Sequence, residues 1–406
     1  MSTTERRTGR AINPFVRWLT GPAVLRFGGA LLRRFAPVAS FRGTVLVARH
    51  ADVIDALTRD TDFTIREING PKIDALDGPF ILGMDRGSDY EREAAMLQAV
   101  VQRDDVARIR DMSIAHSAEL IARAAPAGKL DVVGGLARVV PTRLVGEYFG
   151  TRGPDDATLQ RWLRDAFFEV FLNATNNADA HAAAMQSGAE LRAWQDAEIA
   201  RRKPLVRAAG RADDMMGRMI LLQSDPAYAW LDDRSIRRNL GGVIVGAVDT
   251  TSWLVSVALD ELLKRPAELA KAAAAARAND LDTVRRYAYE AARFHPPSPF
   301  LVRFVPRDTT LGGHKVKAGS RLFAMLVSAM FDPAAWPDPG AFRIDRQSKH
   351  LHFGHGMHQC YGTRINDVQI PAILAAVLRL PNLRRAGSIE WDGPFPNRFM
   401  VAFDPH

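Results

Sequence analysis

The sequence predicts a mainly α-helical protein with a smaller β-rich part, and three observations lead there. Helical spacing of apolar residues dominates from about Glu91 to Leu222. One long apolar helix follows, from near Asp233 to near Arg265. Beyond residue 300 the pattern changes to short alternating segments separated by glycine turns. With 406 residues, 47% hydrophobic and 25% charged, the chain is long enough to bury a large core.

The stretch up to Pro37 is basic but lacks the uninterrupted apolar run and small-residue cleavage site of a signal peptide. Its Phe15, Trp18, Leu19, Leu25, Phe27 and Leu31 are expected to dock on the protein's own body rather than on a membrane surface. "FRGTVLVAR" (41–49) alternates as a strand does, and "ADVIDALTRD" after it has helical spacing. Pro126, the run from Gly150 to Pro154, and Pro204 punctuate the helical region. Within the long helix, "LGGVIVGAVDTTSWLVSVAL" (240–259) has the length of a membrane span. Asp249, Thr250, Thr251 and Ser252 at its centre argue for a helix through a large core instead, because an isolated acid is costly in lipid. Pro266 marks its end. "FLVRFVPRDTTLGGHKVKAGSRLFAML" (300–326) carries hairpin signals at Gly312, Gly313 and Gly319. A Pro-rich loop, a helix from about Gly362 to Leu378 and a hairpin around "EWDGPFPNRFMVAF" complete the chain. No repeat or low-complexity tract interrupts it. Residues 1–39 are read as an N-terminal arm and entry segment, and 40–406 as a single domain.

One cysteine excludes an internal disulfide, so a cytoplasmic location is expected. A formal charge of +8 raises nucleic acid as a partner. The arginines are read as spread singly or in pairs (Arg33/Arg34, Arg201/Arg202, Arg237/Arg238, Arg285/Arg286, Arg384/Arg385), without an aromatic-interleaved basic motif. No nucleic-acid partner is expected; the charge suits a solvated surface or a patch that receives an acidic protein.

"HLHFGHGMHQCYG" (350–362) holds four of the ten histidines and the only cysteine. A zinc cage of His350, His352, His355, His358 and Cys360 would lack the second, separated ligand pair of a closed site. Gly354, Gly356 and Gly362 read as positions for positive φ and close backbone approach, so the loop would hold Cys360 against something flat or bulky. A macrocycle is one such group, since a thiolate serves singly as an axial ligand of haem iron. A small buried hydrophobe is the other reading of a lone cysteine. Asp249 and Thr250 sit mid-helix after Gly246 and Ala247: small residues admit a broad planar group, and an acid beside a hydroxyl can relay protons. The plainer reading of Thr250 is a hydroxyl bonded back to its own helix. Glu290 and Arg293 share a helix face, and Arg346 offers a second guanidinium for a buried three-member network.

Together these segments resemble the bacterial cytochrome P450 family of haem-thiolate monooxygenases. The match comprises Phe353-x-x-Gly356-x-x-x-Cys360-x-Gly362, then Gly246-Ala247-Val248-Asp249-Thr250-Thr251, then Glu290-x-x-Arg293, and "WPDPGAFRIDR" ending at Arg346. Order and spacing agree from roughly residue 40 onward. The resemblance implies one triangular-prism domain, haem b (iron protoporphyrin IX) on Cys360, and propionates received by Arg303 and His358. Two departures stand out. Where the family offers His and Arg to a propionate, this chain has Asp89 and Glu93, with Tyr90 and Arg92 nearby as replacement cofactor contacts. The usual Asn-Arg-Asp-Pro run is Met330-Phe331-Asp332-Pro333. With that helix rotated, Asp89 and Glu93 would face solvent; otherwise Arg303 and His358 carry the propionates nearly alone.

The implied activity inserts one oxygen atom of O2 into a small apolar organic substrate, with Asp249 and Thr250 organising protons. No strand-linked G-x-G-x-x-G occurs, so electrons are expected from a separate ferredoxin or flavodoxin and its reductase. Arg103, Arg108, Arg110, Lys349 and Arg364 form the expected docking face. By position, Val245, Gly246, Pro299, Leu301 and Phe399 line the pocket, with Phe80, Ile81, Phe167 and Phe171 from entrance segments. A monomer without stable membrane insertion is expected. A peroxide-driven peroxygenase and a non-catalytic haem sensor are the alternatives.

Overall fold

Leu254, Val255, Ala258, Leu259 and Leu262 recur at helical spacing and are all buried, which makes Asp249–Leu263 a helix covered on every side. It packs against Leu281–Phe294 and Thr363–Leu378, the helices that carry Glu290 and follow Cys360. This triad is the frame of the site. The structure, a computed structural model, describes residues 21–173 and 175–405. Asp155, Asn177, Asp214, Asp232 and Asp280 start helices by accepting a backbone N–H with their side chains, as residues of this type do at an N-cap.

The β-rich part is small. A four-stranded sheet runs in the order Val38–Phe41, Thr44–Val47, Arg321–Ala324, Leu301–Phe304, antiparallel except between the middle two. Its first strand crosses residue 40, so the end of the N-terminal arm is already part of this sheet. The single strand expected over 41–49 is instead a turn and a strand, because Arg42 and Gly43 both take positive φ (46° and 77°) and reverse the chain. Lys129–Asp131, Met400–Ala402 and Arg384–Arg385 form a second sheet. Glu390–Asp392 and Phe395–Arg398 make a hairpin.

Three expectations need correction. The long helix is not continuous: α-helix covers Asp233–Ile244 and Asp249–Leu263, with an irregular turn at 245–248. Thr250 and Thr251 hydroxyls bond back to the Gly246 and Ala247 carbonyls, offering partners other than the i+4 amides. Among the described residues, Asp233–Leu263 is the one stretch long and apolar enough to cross a membrane, and 67% of its apolar window is buried in the protein. Phe27 and Leu31 do not dock on the protein's body, since both are exposed on the helix Pro22–Phe35; Phe15, Trp18 and Leu19 lie outside the described residues. Gly362 does not take positive φ; at −75° it is the N-cap of the Thr363–Leu378 helix.

Candidate functional site

The loop before the Thr363–Leu378 helix folds around its own carbonyls. Cys360 N–H donates to the Phe353 carbonyl (2.8 Å), Gly354 to Leu351 (2.8 Å) and Gln359 to Gly356 (3.0 Å). Gly354 and Gly356 adopt φ of 72° and 75°. A Cβ on Gly356 would stand 2.2 Å from the Leu57 carbonyl oxygen, so only glycine fits there. The four histidines of the loop diverge. His350 approaches Glu290, His352 is buried against the Tyr289 and Phe353 rings, and the ring of His358 meets the ring of Tyr90 edge-on at 5.6 Å. His355 keeps intermediate exposure, and among the described residues no group of three or more His, Cys, Asp and Glu is placed to hold a metal ion.

Cys360 lies deep in the fold yet keeps accessible surface. Burial pushes its thiol pKa up, while a hydrogen bond from the Gly362 backbone N–H pulls the other way. On the central segment Val243, Val245, Gly246, Ala247 and Thr250 also keep accessible surface, although core surrounds them. Asn366 joins the two segments: its Oδ1 is 3.1 Å from Thr251 Oγ1, and its amide packs at Gly362, beside the Cys360 sulfur. Thr250 donates its hydroxyl proton to the Gly246 carbonyl, which is the plainer of the two readings of this residue and leaves its oxygen lone pairs free to accept.

Asp249 is not a lone acid. Arg164 donates two hydrogen bonds to it (3.1 and 2.5 Å), and Arg138 Nε lies 3.4 Å away as a charge contact. Arg164 also reaches Asp392 at 3.2 Å, tying the central helix to the 390–398 hairpin. All three side chains at the centre, Asp249, Arg164 and Arg138, are nearly excluded from water. No sequence signal pointed to Arg138, Arg164 or Asp392, because their pairing depends on three chain crossings.

A second polar cluster lies near His358. Arg303 is buried, and its Nη1 donates only to the Val302 carbonyl (2.9 Å); among the described residues it makes no ion pair. Burial pulls its pKa down to about 10, still protonated at neutral pH. Burial, then the nearby Arg303 charge, pulls His358 down to about 4, and its Nδ1 has no partner among the described residues. A buried cation without a carboxylate beside a neutral imidazole with an unused nitrogen suits an anionic group.

The helix Ser88–Val100 meets neither expectation in full. Asp89 is exposed, but Glu93 is fully buried, paired with Arg238 and with Asn239 Nδ2 (2.6 Å) rather than facing solvent. Arg238 offsets the desolvation of Glu93, a pairing that no local pattern signals. Arg92 lies over the Trp230 ring (4.5 Å) and 3.2 Å from Asp89, so it is committed away from His358. Tyr90 does approach the cysteine loop, donating to the Met357 carbonyl at 2.8 Å.

Glu290 collects Arg293 (2.7 and 2.9 Å), Arg346 (3.0 Å), the Arg343 amide (3.0 Å) and His350 (3.4 Å). Burial pushes its carboxyl up, but the bonds from His350 and Arg293 outweigh that and hold the pKa at about 2. The two guanidiniums also bind the Pro337, Asp338, Pro339, Ala341 and Met330 carbonyls, bracing the segment before the loop.

Residues 195–383 match the family model described as Cytochrome P450. A Xylella fastidiosa protein named cytochrome P450 133B2 is 25% identical over 376 residues, covering 89% of this chain and 91% of its own length. The cyclomarin C epoxidase CymV of Salinispora arenicola is 28% identical, covering 70% and 69%. The crystal structure of CalO2 superposes with a TM-score of 0.82 at 24% identity, over 98% of this chain and 99% of that one.

The chain belongs to the cytochrome P450 family. It is an oxidoreductase of the haem-thiolate monooxygenase class. For this P450 the cysteine loop, the small-residue wall and the buried Arg303 fit a haem thiolate site: Cys360 for iron, Gly246 and Ala247 for a flat face, Arg303 and His358 for carboxylates. Of the pocket residues, Phe167 lies 3.9 Å from where a Gly246 Cβ would stand, and Phe171 packs on it at 4.9 Å. Leu301 abuts Gly354, while the Pro299 carbonyl accepts from Val327. Phe80 covers Gly242, and Ile81 is buried in the apolar cluster beside it. Phe399 belongs elsewhere: its backbone pairs with Asp131 and Val132, which turns the ring into the core with Val401 and Phe403. Phe395, on the preceding hairpin, is the ring that reaches Phe167 (6.0 Å).

Proposed function

We propose that this P450 inserts one oxygen atom of O2 into a small apolar organic substrate, using haem b on Cys360 and two electrons from a separate ferredoxin or flavodoxin with its reductase. The observation that carries this reading is that Cys360 and Thr250 keep accessible surface on two segments linked through Asn366, while Arg303 is buried without an ion pair among the described residues. Haem, when bound, supplies dioxygen binding and its reductive activation. The chain supplies the rest. Cys360 gives the thiolate, tempered by the Gly362 N–H and the helix N-terminus behind it. Arg303 and His358 receive the propionates.

Thr250, its proton engaged by Gly246, accepts a hydrogen bond from a water on the open side and so orders proton supply. Asp249, bound by Arg164 and faced by Arg138, fixes the field along that segment; it can reach a water only when Arg164 lets go. Phe167 and Phe80 limit water over Gly246 and Gly242 and favour apolar substrates. Of the expected docking residues, Arg103, Lys349 and Arg364 are exposed, as a face for an acidic redox protein needs, while Arg108 and Arg110 are drawn to Asp105 and Asp111.

A peroxygenase would not need the Asp249–Thr250 pair, and a sensor would need no electron-donor face. The deciding experiment supplies NADPH with surrogate ferredoxin and reductase under labelled dioxygen. Substrate-dependent NADPH consumption and one labelled atom in the product are expected. Product formed equally well from hydrogen peroxide alone would favour the peroxygenase.

A further inference from the structure

The helix Pro22–Phe35 is amphipathic in the wrong sense for a surface helix. Its inner face carries Arg26, Gly29 and Arg33. Arg26 lies over the Phe331 and Phe294 rings (5.0 and 5.6 Å). Gly29 abuts Ser328, and Arg33 donates to the carbonyl and hydroxyl of that residue (2.8 and 2.7 Å). Its outer face carries Phe27, Leu31 and Phe35, spaced four residues apart, with Phe27 69% and Phe35 78% exposed. Six residues on, Phe41 is 71% exposed at the hairpin tip. The exposed rings have cations beside them: Arg34 at 6.0 Å from Phe35 and Arg42 at 5.1 Å from Phe41. Singly exposed apolar residues are ordinary, but a ridge of four within fifteen residues is not.

Charge supplies the second observation. The basic excess is not spread through the chain, as its arginine pairs suggested. From Arg6 to Ala51 there are nine arginines and no aspartate, glutamate or lysine. The remainder has 45 basic and 46 acidic residues, so the whole positive excess of the protein resides in this segment. Four of the nine arginines, with Phe15, Trp18 and Leu19, precede the described residues.

We propose that the outer face of the Pro22–Phe35 helix docks this P450 peripherally on an anionic lipid surface. Phenylalanines enter the headgroup–acyl boundary while neighbouring guanidiniums meet lipid phosphates. A second copy of the chain is disfavoured, because pairing this face with itself brings two uncompensated basic segments together. An acidic protein would satisfy the charge but not the aromatic ridge.

The test is cosedimentation of the full-length holoprotein with phosphatidylglycerol/phosphatidylcholine vesicles and with phosphatidylcholine vesicles alone. Binding to the anionic vesicles, weakened by salt, is expected. Phe27→Ser and Phe35→Ser should each lower the partition coefficient about tenfold, and Arg34→Gln with Arg42→Gln should reduce the preference for anionic lipid. Because these side chains point outward, all variants should keep the wild-type melting temperature and haem content. Wild-type protein left in the supernatant would overturn the proposal, as would binding untouched by Phe27→Ser/Phe35→Ser. A concentration-dependent dimer abolished by that double variant, without vesicle binding, would overturn it in favour of self-association.

Discussion

Replacing Asp249 with Asn removes one charge from the buried cluster while keeping its volume. Arg164 then retains Asp392, 3.2 Å away, and the Asn397 side-chain oxygen at 3.4 Å, and Arg138 loses its charge contact at 3.4 Å. Breaking a buried pair by removing one partner costs roughly 3–5 kcal/mol. The surviving Asp392 and the acceptor oxygen of Asn place this case at the lower end, about 3 kcal/mol. At about 2.1 cal/mol/K per residue, a chain of this length unfolds with an entropy of about 0.85 kcal/mol/K, so Tm should fall by about 3–4 °C. The informative assay is a double-mutant cycle of Asp249→Asn and Arg164→Gln by chemical denaturation of the holoprotein. A coupling of about 2–3 kcal/mol is expected. Additivity to within about 0.5 kcal/mol would show that the two groups do not act as a desolvated pair, and the assignment of Asp249 as a carboxylate fixed by Arg164 would fall with it.

Thr250→Ala removes the hydroxyl that orders water above Gly246, so product per NADPH should drop several-fold while substrate affinity, read from the Soret shift, holds; unchanged coupling would remove Thr250 from proton delivery. Gly356→Ala must place a Cβ 2.2 Å from the Leu57 carbonyl at a φ of 75°, whereas Gly362→Ala meets nothing closer than 3.5 Å at −75°. The first should therefore yield haem-poor protein by the Soret-to-280 nm ratio and the second near-normal protein; equal yields would contradict the geometry. Glu290, held at about 2 in the folded chain against about 4.5 unfolded, contributes about 3 kcal/mol that is present in full above pH 4.5 and lost as pH falls toward 2. Arg346→Gln should make that decline shallower in denaturation midpoints measured across this range, and an unchanged slope would count against the network.

The parts legible in the sequence were those fixed by local chemistry. Gly356 and Cys360 belong to one short loop, and Glu290 and Arg293 to one helical turn, so spacing together with the family resemblance places them. The helix around Asp249 was legible from its apolar run, but its break at 245–248 was not, because it depends on which carbonyls the Thr250 and Thr251 hydroxyls take. Long-range pairing was invisible. Arg164 and Asp249 are 85 residues apart and Glu93 and Arg238 are 145 apart; nothing in either local pattern names the partner. Phe399 was misplaced for a related reason, since a one-residue change in strand register turns a side chain to the opposite face. The outward face of the Pro22–Phe35 helix reads as a docking face on the protein because an amphipathic pattern reveals that two faces differ without saying which one meets the protein.

The central claim is that Cys360 supplies a thiolate to haem iron inside this fold. Its most direct test is the absorption spectrum of the dithionite-reduced, carbon monoxide-bound holoprotein, recorded for wild type and for Cys360→Ser at equal haem content. The wild type should show the strongly red-shifted Soret band of thiolate ligation, and the variant should lose it completely. A red-shifted band that survives in Cys360→Ser, or one that never appears in the wild type, would contradict it.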